Sequence, residues 1–158
     1  MPPDGIPMTA AMRQARSPLT DRLRLLAEEA GIEFRPPSLI PNSRPALEAA
    51  EFARDAGCFD AFHAAVFSAL FEHDRNIGDL QVLVELADET GLDGKAVEEA
   101  LKTHRYRDVV IGKTVWARER GITSTPTFIF SDQFELVGAQ EYAVFDSVAQ
   151  RMGARKRD

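Results

Sequence analysis

The residues best suited to chemistry lie in the stretch Gly121-Ile-Thr-Ser-Thr-Pro-Thr-Phe-Ile-Phe130. A helix end and a short turn lead here into an apolar strand that begins at Pro126. Proline at the first position of a strand surrenders no internal ladder bond. It also pushes Thr125 to extended backbone, so the Thr125 peptide groups turn outward and are free to pair with something else. A proline in so tight a loop is a candidate for a cis peptide, the plainer alternative being an ordinary trans strand start. Thr125 and Pro126 thus offer backbone groups for pairing and no side chain that makes or breaks a bond.

Other reactive groups are sparse. Cys58 follows Gly57 near a helix N-terminus, a place that suits a reactive thiol, but it reads better as a half-buried structural thiol at a helix junction. A single cysteine forms no intrachain disulfide, and dithiol–disulfide exchange needs an attacking thiolate and a resolving thiol in reach of each other. His63 has no partner in the sequence that would make it a general base and reads as a helix-surface or satisfied core histidine. His73 and His104 read as helix-end residues. The acids Glu28-Glu29, Asp88-Glu89 and Glu98-Glu99 read as solvated charge, and no His-x-x-x-His or clustered cysteine suggests a metal. Gly91-Leu-Asp-Gly-Lys95 lacks the spacing and hydroxyl of a phosphate loop. The sequence thus predicts no catalytic residue, no metal site and no cofactor.

The elements that must position these residues are mostly helical. Residues 1–7 read as irregular and 9–16 as a short helix. Ser17-Pro18 reads as a cap followed by proline at the first helical position, opening a helix that ends at Gly31 with Leu19, Leu23, Leu26, Ala27 and Ala30 inward. Residues 32–34 are extended before Pro36-Pro37. Asn42 or Ser43 caps the next helix, which Gly57 stops. A wide apolar face over 59–73 follows, carrying Phe59, Phe62, Val66, Ala69 and Leu70, with Phe67 at its margin. Then come a helix over 79–90, a short helix capped by Asp93, and a helix over 105–120 with Val109, Val110, Val115 and Trp116 toward the core. Strands at 126–130 and 134–137 flank the polar turn Ser131-Asp-Gln133, and a helix over 141–152 carries Val144, Phe145, Val148 and Met152.

A two-stranded hairpin is marginal unless other elements extend or cover it. The edge at residues 127–130 is apolar, β-prone and open, which soluble proteins avoid leaving bare. The expected cover is a second copy of the chain or a partner strand; the alternative is that residues 32–34 or the N-terminal segment folds back onto it.

Composition sets the bounds. A chain of 158 residues with 44% hydrophobic and 28% charged residues fits one soluble globular domain. The net charge of −6 argues against non-specific nucleic-acid binding. The basic run from Arg151 to Arg157 reads as a solvated end. No apolar run approaches the roughly 20 residues of a membrane span. The N-terminus has prolines and Asp4 where a secretory signal would have a basic and then an apolar stretch. A cytoplasmic protein with a reduced thiol is the expectation.

Pro41-Asn-Ser-Arg-Pro45, Phe59-Asp-Ala-Phe-His63, Asn76-Ile-Gly-Asp79, Gly91-Leu-Asp93 and the Thr125-Pro126 loop occur in an order that resembles the DsbA-like thioredoxin family, in particular its FrnE-like branch. The resemblance spans residues 1–153. It implies an α/β thioredoxin-like fold, α+β within this chain: a single domain over 1–158, with a helical insertion at 9–120, the C-terminal half of the thioredoxin fold at 121–153 and a tail at 154–158. Met1-Pro-Pro-Asp-Gly5 resembles the segment that follows the family's second strand, so the strand, Cys-x-x-Cys helix and strand of the redox half are expected to be missing, leaving a truncated fold. The resemblance further implies that Thr125 and Pro126 form the substrate-side cis-proline loop, which takes a peptide or thiol substrate. The implied class is a thiol–disulfide oxidoreductase, redox-inactive as this chain. The rivals are a glutathione-dependent isomerase or transferase relative and a non-catalytic binding or assembly module.

Overall fold

The structure is a computed structural model and describes residues 1–155. Arg157 and the end of the expected 154–158 tail lie outside the described residues. In chain order the elements are β1 (Ile6–Pro7), α1 (Ala10–Glu29), β2 (Leu39–Ile40), α2 (Arg44–Asp55), α3 (Phe59–Phe71), α4 (Leu80–Glu89), α5 (Gly94–Lys102), α6 (Arg107–Glu119), β3 (Thr127–Phe130), β4 (Phe134–Val137) and α7 (Tyr142–Arg151). Two compact units divide between Ile111 and Gly112, inside α6.

The first unit owes its core to four helices whose apolar residues recur every third or fourth position, which puts them on one face. Ala46, Ala49 and Ala53 of α2, Phe62, Val66 and Ala69 of α3, Leu83, Leu86 and Ala87 of α4, and Val97 and Leu101 of α5 form one buried cluster. The alanines of α2 let its backbone approach α3 and α5, against which it packs. Side-chain oxygens start the helices. Asp79 Oδ1 accepts from Gln81 N–H at 2.7 Å, and Asp93 Oδ1 from Lys95 N–H at 2.9 Å. Cys58 is the N-cap residue of α3, half-buried against the cluster, with Sγ 3.8 Å from the Ala56 carbonyl.

Several expectations for the first unit are corrected. Residues 1–7 are not wholly irregular, because Ile6 pairs with Ile40 and Pro7 with Leu39 in a short antiparallel ladder. Proline is tolerated there because the ladder has only two strands, both of them edges. Residues 32–34 form no strand. Phe34 instead stacks on Phe71 with ring centroids 6.2 Å apart. The break expected at Ser17-Pro18 is absent: α1 is one helix, capped by Thr9, whose hydroxyl accepts from Met12 N–H at 3.2 Å. Ser17 Oγ donates forward to Asp21 Oδ2 at 3.1 Å, so its side chain supports the helix interior and caps nothing. Pro18 forfeits one backbone bond on an exposed helix, which survives it.

Leu19, Leu23 and Leu26, expected inward, are 59%, 41% and 47% exposed. The helical period is present, but α1 lies outside the core cluster and has no buried residue. Leu19 and Leu23 border an open apolar cavity of about 240 Å³ with Phe34, Leu39 and Phe71. In α6 only Val110 is buried, while Val109, Val115 and Trp116 are exposed. The Arg120 guanidinium lies 4.5 Å above the Trp116 ring and covers part of it.

The second unit holds the rest of α6, the hairpin and α7. β3 and β4 pair antiparallel, Thr127 opposite Val137, Phe128 opposite Leu136, Ile129 opposite Glu135 and Phe130 opposite Phe134. Ser131 and Asp132 take the left-handed backbone at φ 46° and 56° to close the turn, a conformation a short polar side chain such as Asp tolerates. Strand alternation puts Phe128 and Phe130 on one face. Phe145 of α7 meets both rings, Phe128 edge-on at 4.8 Å and Phe130 at 6.4 Å. The architecture is mixed helix and sheet, as a thioredoxin-type fold requires.

Candidate functional site

Gly121, at φ +74°, ends α6, and Ile122 N–H closes the last turn on the Ala117 carbonyl at 3.0 Å. The chain then runs through an exposed loop to Thr125 and Pro126, and the peptide bond between them is cis. Thr127 Oγ1 donates back to the Ser124 carbonyl at 2.8 Å and pins the loop to the strand start. The Pro126 carbonyl accepts from Gly138 N–H at 2.8 Å.

That last bond fixes the polarity of the strand. Pro126 turns its carbonyl toward β4, and in an antiparallel ladder successive residues alternate between facing the partner and facing away. Phe128 and Phe130 therefore bond to β4, while Thr127 and Ile129 turn their N–H and C=O outward. Among the described residues β3 has β4 as its only strand neighbour, and the N-terminal segment pairs with β2. The site is the pair of outward-facing residues Thr127 and Ile129 on the open edge of β3, beside the exposed Thr125–Pro126 loop. Such an edge recognises main chain and adds a strand to a sheet.

The remaining candidates lie elsewhere. His63 is exposed and its ring sits between Phe59 at 5.1 Å and Phe67 at 4.6 Å, an aromatic stack on the surface of α3. Arg54 extends that stack, 3.7 Å over the Phe59 ring. Asn42 Oδ1 accepts from Arg44 N–H at 3.3 Å, and Ser43 is the N-cap residue of α2 without a side-chain bond. No group of three or more His, Cys, Asp or Glu residues among those described is arranged to hold a metal ion. None of the described helices is long and apolar enough to cross a membrane. Glu48, which the sequence did not single out, is buried, with His104 Nδ1 3.7 Å from its Oε2. The only sequence signal for it is its place one turn before Phe52, on a stripe that faces Tyr106.

The DSBA-like thioredoxin domain family matches residues 1–150. The chain belongs to the DsbA-like thioredoxin family. YwbO, an uncharacterized protein of Bacillus subtilis (strain 168), is 37% identical over 124 residues, which are 77% of this chain and 62% of that protein. The crystal structure of a "probable DsbA oxidoreductase" from Streptomyces coelicolor superposes with a TM-score of 0.77 at 26% identity, covering 92% of this chain and 64% of that one. The chain thus spans less than two thirds of either relative. In this DsbA-like chain the Thr125–Pro126 loop and the hairpin fall inside the family match.

Proposed function

We propose that this chain is the substrate-holding part of a DsbA-like thiol–disulfide oxidoreductase, with the Thr125–Pro126 loop and the outer edge of β3 taking an extended peptide or a thiol-bearing substrate. The outward backbone groups of Thr127 and Ile129, directly after the Thr125–Pro126 loop, carry this reading. Main-chain pairing would give affinity without demanding a particular side-chain sequence. Exchange itself needs two thiols, and these residues contain one. The 158 residues alone therefore bind without exchanging disulfides. The single reduced thiol also supports a cytoplasmic setting.

Two measurements on these 158 residues test the reading. Insulin reduction by dithiothreitol is expected to run no faster than with the Cys58→Ser variant; acceleration that depends on Cys58 would refute the inactivity. Adding an unstructured peptide is expected to slow amide exchange at Thr127 and Ile129. Unchanged exchange at both, with saturation elsewhere, would refute the site.

The same edge supports pairing with a strand from a second copy or another chain. A two-fold dimer joined through β3 would pair Thr127 of each copy with Ile129 of the other. Sedimentation over micromolar concentrations is expected to show association, and Ile129→Pro is expected to abolish it. A concentration-independent monomer would remove the dimer.

A further inference from the structure

We propose that the cavity beside Glu48 binds a small zwitterion of the α-amino-acid class, its ammonium on Glu48 and its carboxylate on Arg44. Glu48 is 2% exposed, and its Oε2 is shut from solvent without a hydrogen-bond partner. Buried carboxylate oxygens are ordinarily satisfied, so this one marks a place for a donor. His104 Nδ1, at 3.7 Å, stands beyond hydrogen-bond length.

Glu48 lines a cavity of about 350 Å³ formed by the entry to α2, the end of α5 and the Gly78 loop. That volume is within the range of small-molecule sites. One wall is rigid: a Cβ on Gly78 would come within 2.9 Å of the Asn42 carbonyl, so the loop lies hard against the entry to α2. The opposite wall is a surface side chain. His104 follows α5 in the left-handed region at φ 53°, and its side chain is 60% exposed. An outward turn of the imidazole would open Oε2 to the cavity.

The charges select the ligand. Lys102 Nζ is held by Glu98 at 2.7 Å, whereas the Arg44 guanidinium has no ion pair among the described residues. Arg44 is therefore the group with donors to spare, in a fork that fits a carboxylate. An anion alone would meet Glu48, and a cation alone would meet Arg44 and Lys102; a zwitterion satisfies both ends. Pro45, Leu80 and Leu101 line the space between, which suits an aliphatic side chain.

Calorimetric titration of the protein with L-leucine tests this, with isoamylamine and isovalerate as the single-charge probes. L-leucine is expected to saturate, and each single-charge probe to bind at least about tenfold more weakly. Glu48→Gln, which keeps the shape, and Arg44→Ala, on the surface, are each expected to weaken L-leucine by about tenfold or more. Absence of saturable L-leucine binding up to the order of 10 mM overturns the proposal. Isoamylamine binding as tightly as L-leucine, or affinity unchanged in Arg44→Ala, does the same.

Discussion

The Tyr106 hydroxyl donates to Asp55 Oδ2 at 2.7 Å, joining residues 51 positions apart at the end of α2 and the approach to α6. Tyr106 is 8% exposed, and Phe52 meets its ring edge-on at 6.1 Å. Burial first, then the bond to Asp55, pushes the phenol above its ordinary value. A raised pKa means that the folded state holds the proton more tightly. The associated stability is full below the unfolded value of about 10 and is lost as pH rises through the folded value. Tyr106→Phe is expected to cost about 1 kcal/mol at pH 8. The gap between wild type and variant in urea unfolding should narrow above about pH 10; a gap that widens there would contradict the bond.

Amide exchange reads the polarity of β3 directly. Phe128 and Phe130 N–H face β4 and should exchange about tenfold or more slowly than the outward Thr127 and Ile129. Proline substitution separates the two sets in the same way. Phe128→Pro should disrupt the hairpin, whereas Ile129→Pro should preserve it. Equal damage from both would mean that the register is wrong.

Gly5 has φ +77°, and a Cβ there would lie 2.6 Å from the Ile40 carbonyl. Gly5→Ala must therefore part β1 from β2 or strain the backbone. A loss of about 2 kcal/mol is expected, visible as a lower urea midpoint. Gly31→Ala provides the control: it has a similar φ of +69° but nothing within 4 Å, so it carries the backbone strain without the clash. An equal loss at both positions would assign the whole effect to φ.

Phe145 is the one aromatic of α7 that meets both Phe128 and Phe130. Phe145→Ala is expected to cost roughly 2–4 kcal/mol, with loss of the near-ultraviolet signal of the hairpin aromatics. Phe145→Leu, which keeps most of the apolar volume, should cost less than half as much. Equal costs would assign the whole contribution to the ring contacts and none to apolar volume, against this expectation.

The sequence determined what depends on neighbours along the chain. Asp79 and Asp93 announce helix starts because a capping oxygen reaches only two or three residues ahead. The repeats at Phe62, Val66 and Ala69, and at Leu83, Leu86 and Ala87, announce buried faces because 3.6 residues make a turn. Thr125-Pro126 before an apolar strand, with four further motifs in order ahead of it, was enough for the family. Ser17-Pro18 misled because its local chemistry fits a helix start as well as an interior. Period alone could not say which amphipathic face finds a partner, so Leu19, Leu23 and Trp116 read as core and remain exposed. Glu48 was illegible for the converse reason. A carboxylate on a helix is solvated by default, and only the approach of α5 and His104 from 56 residues away buries it. Burial belongs to pairs of surfaces, and only the tertiary fold decides which surfaces meet.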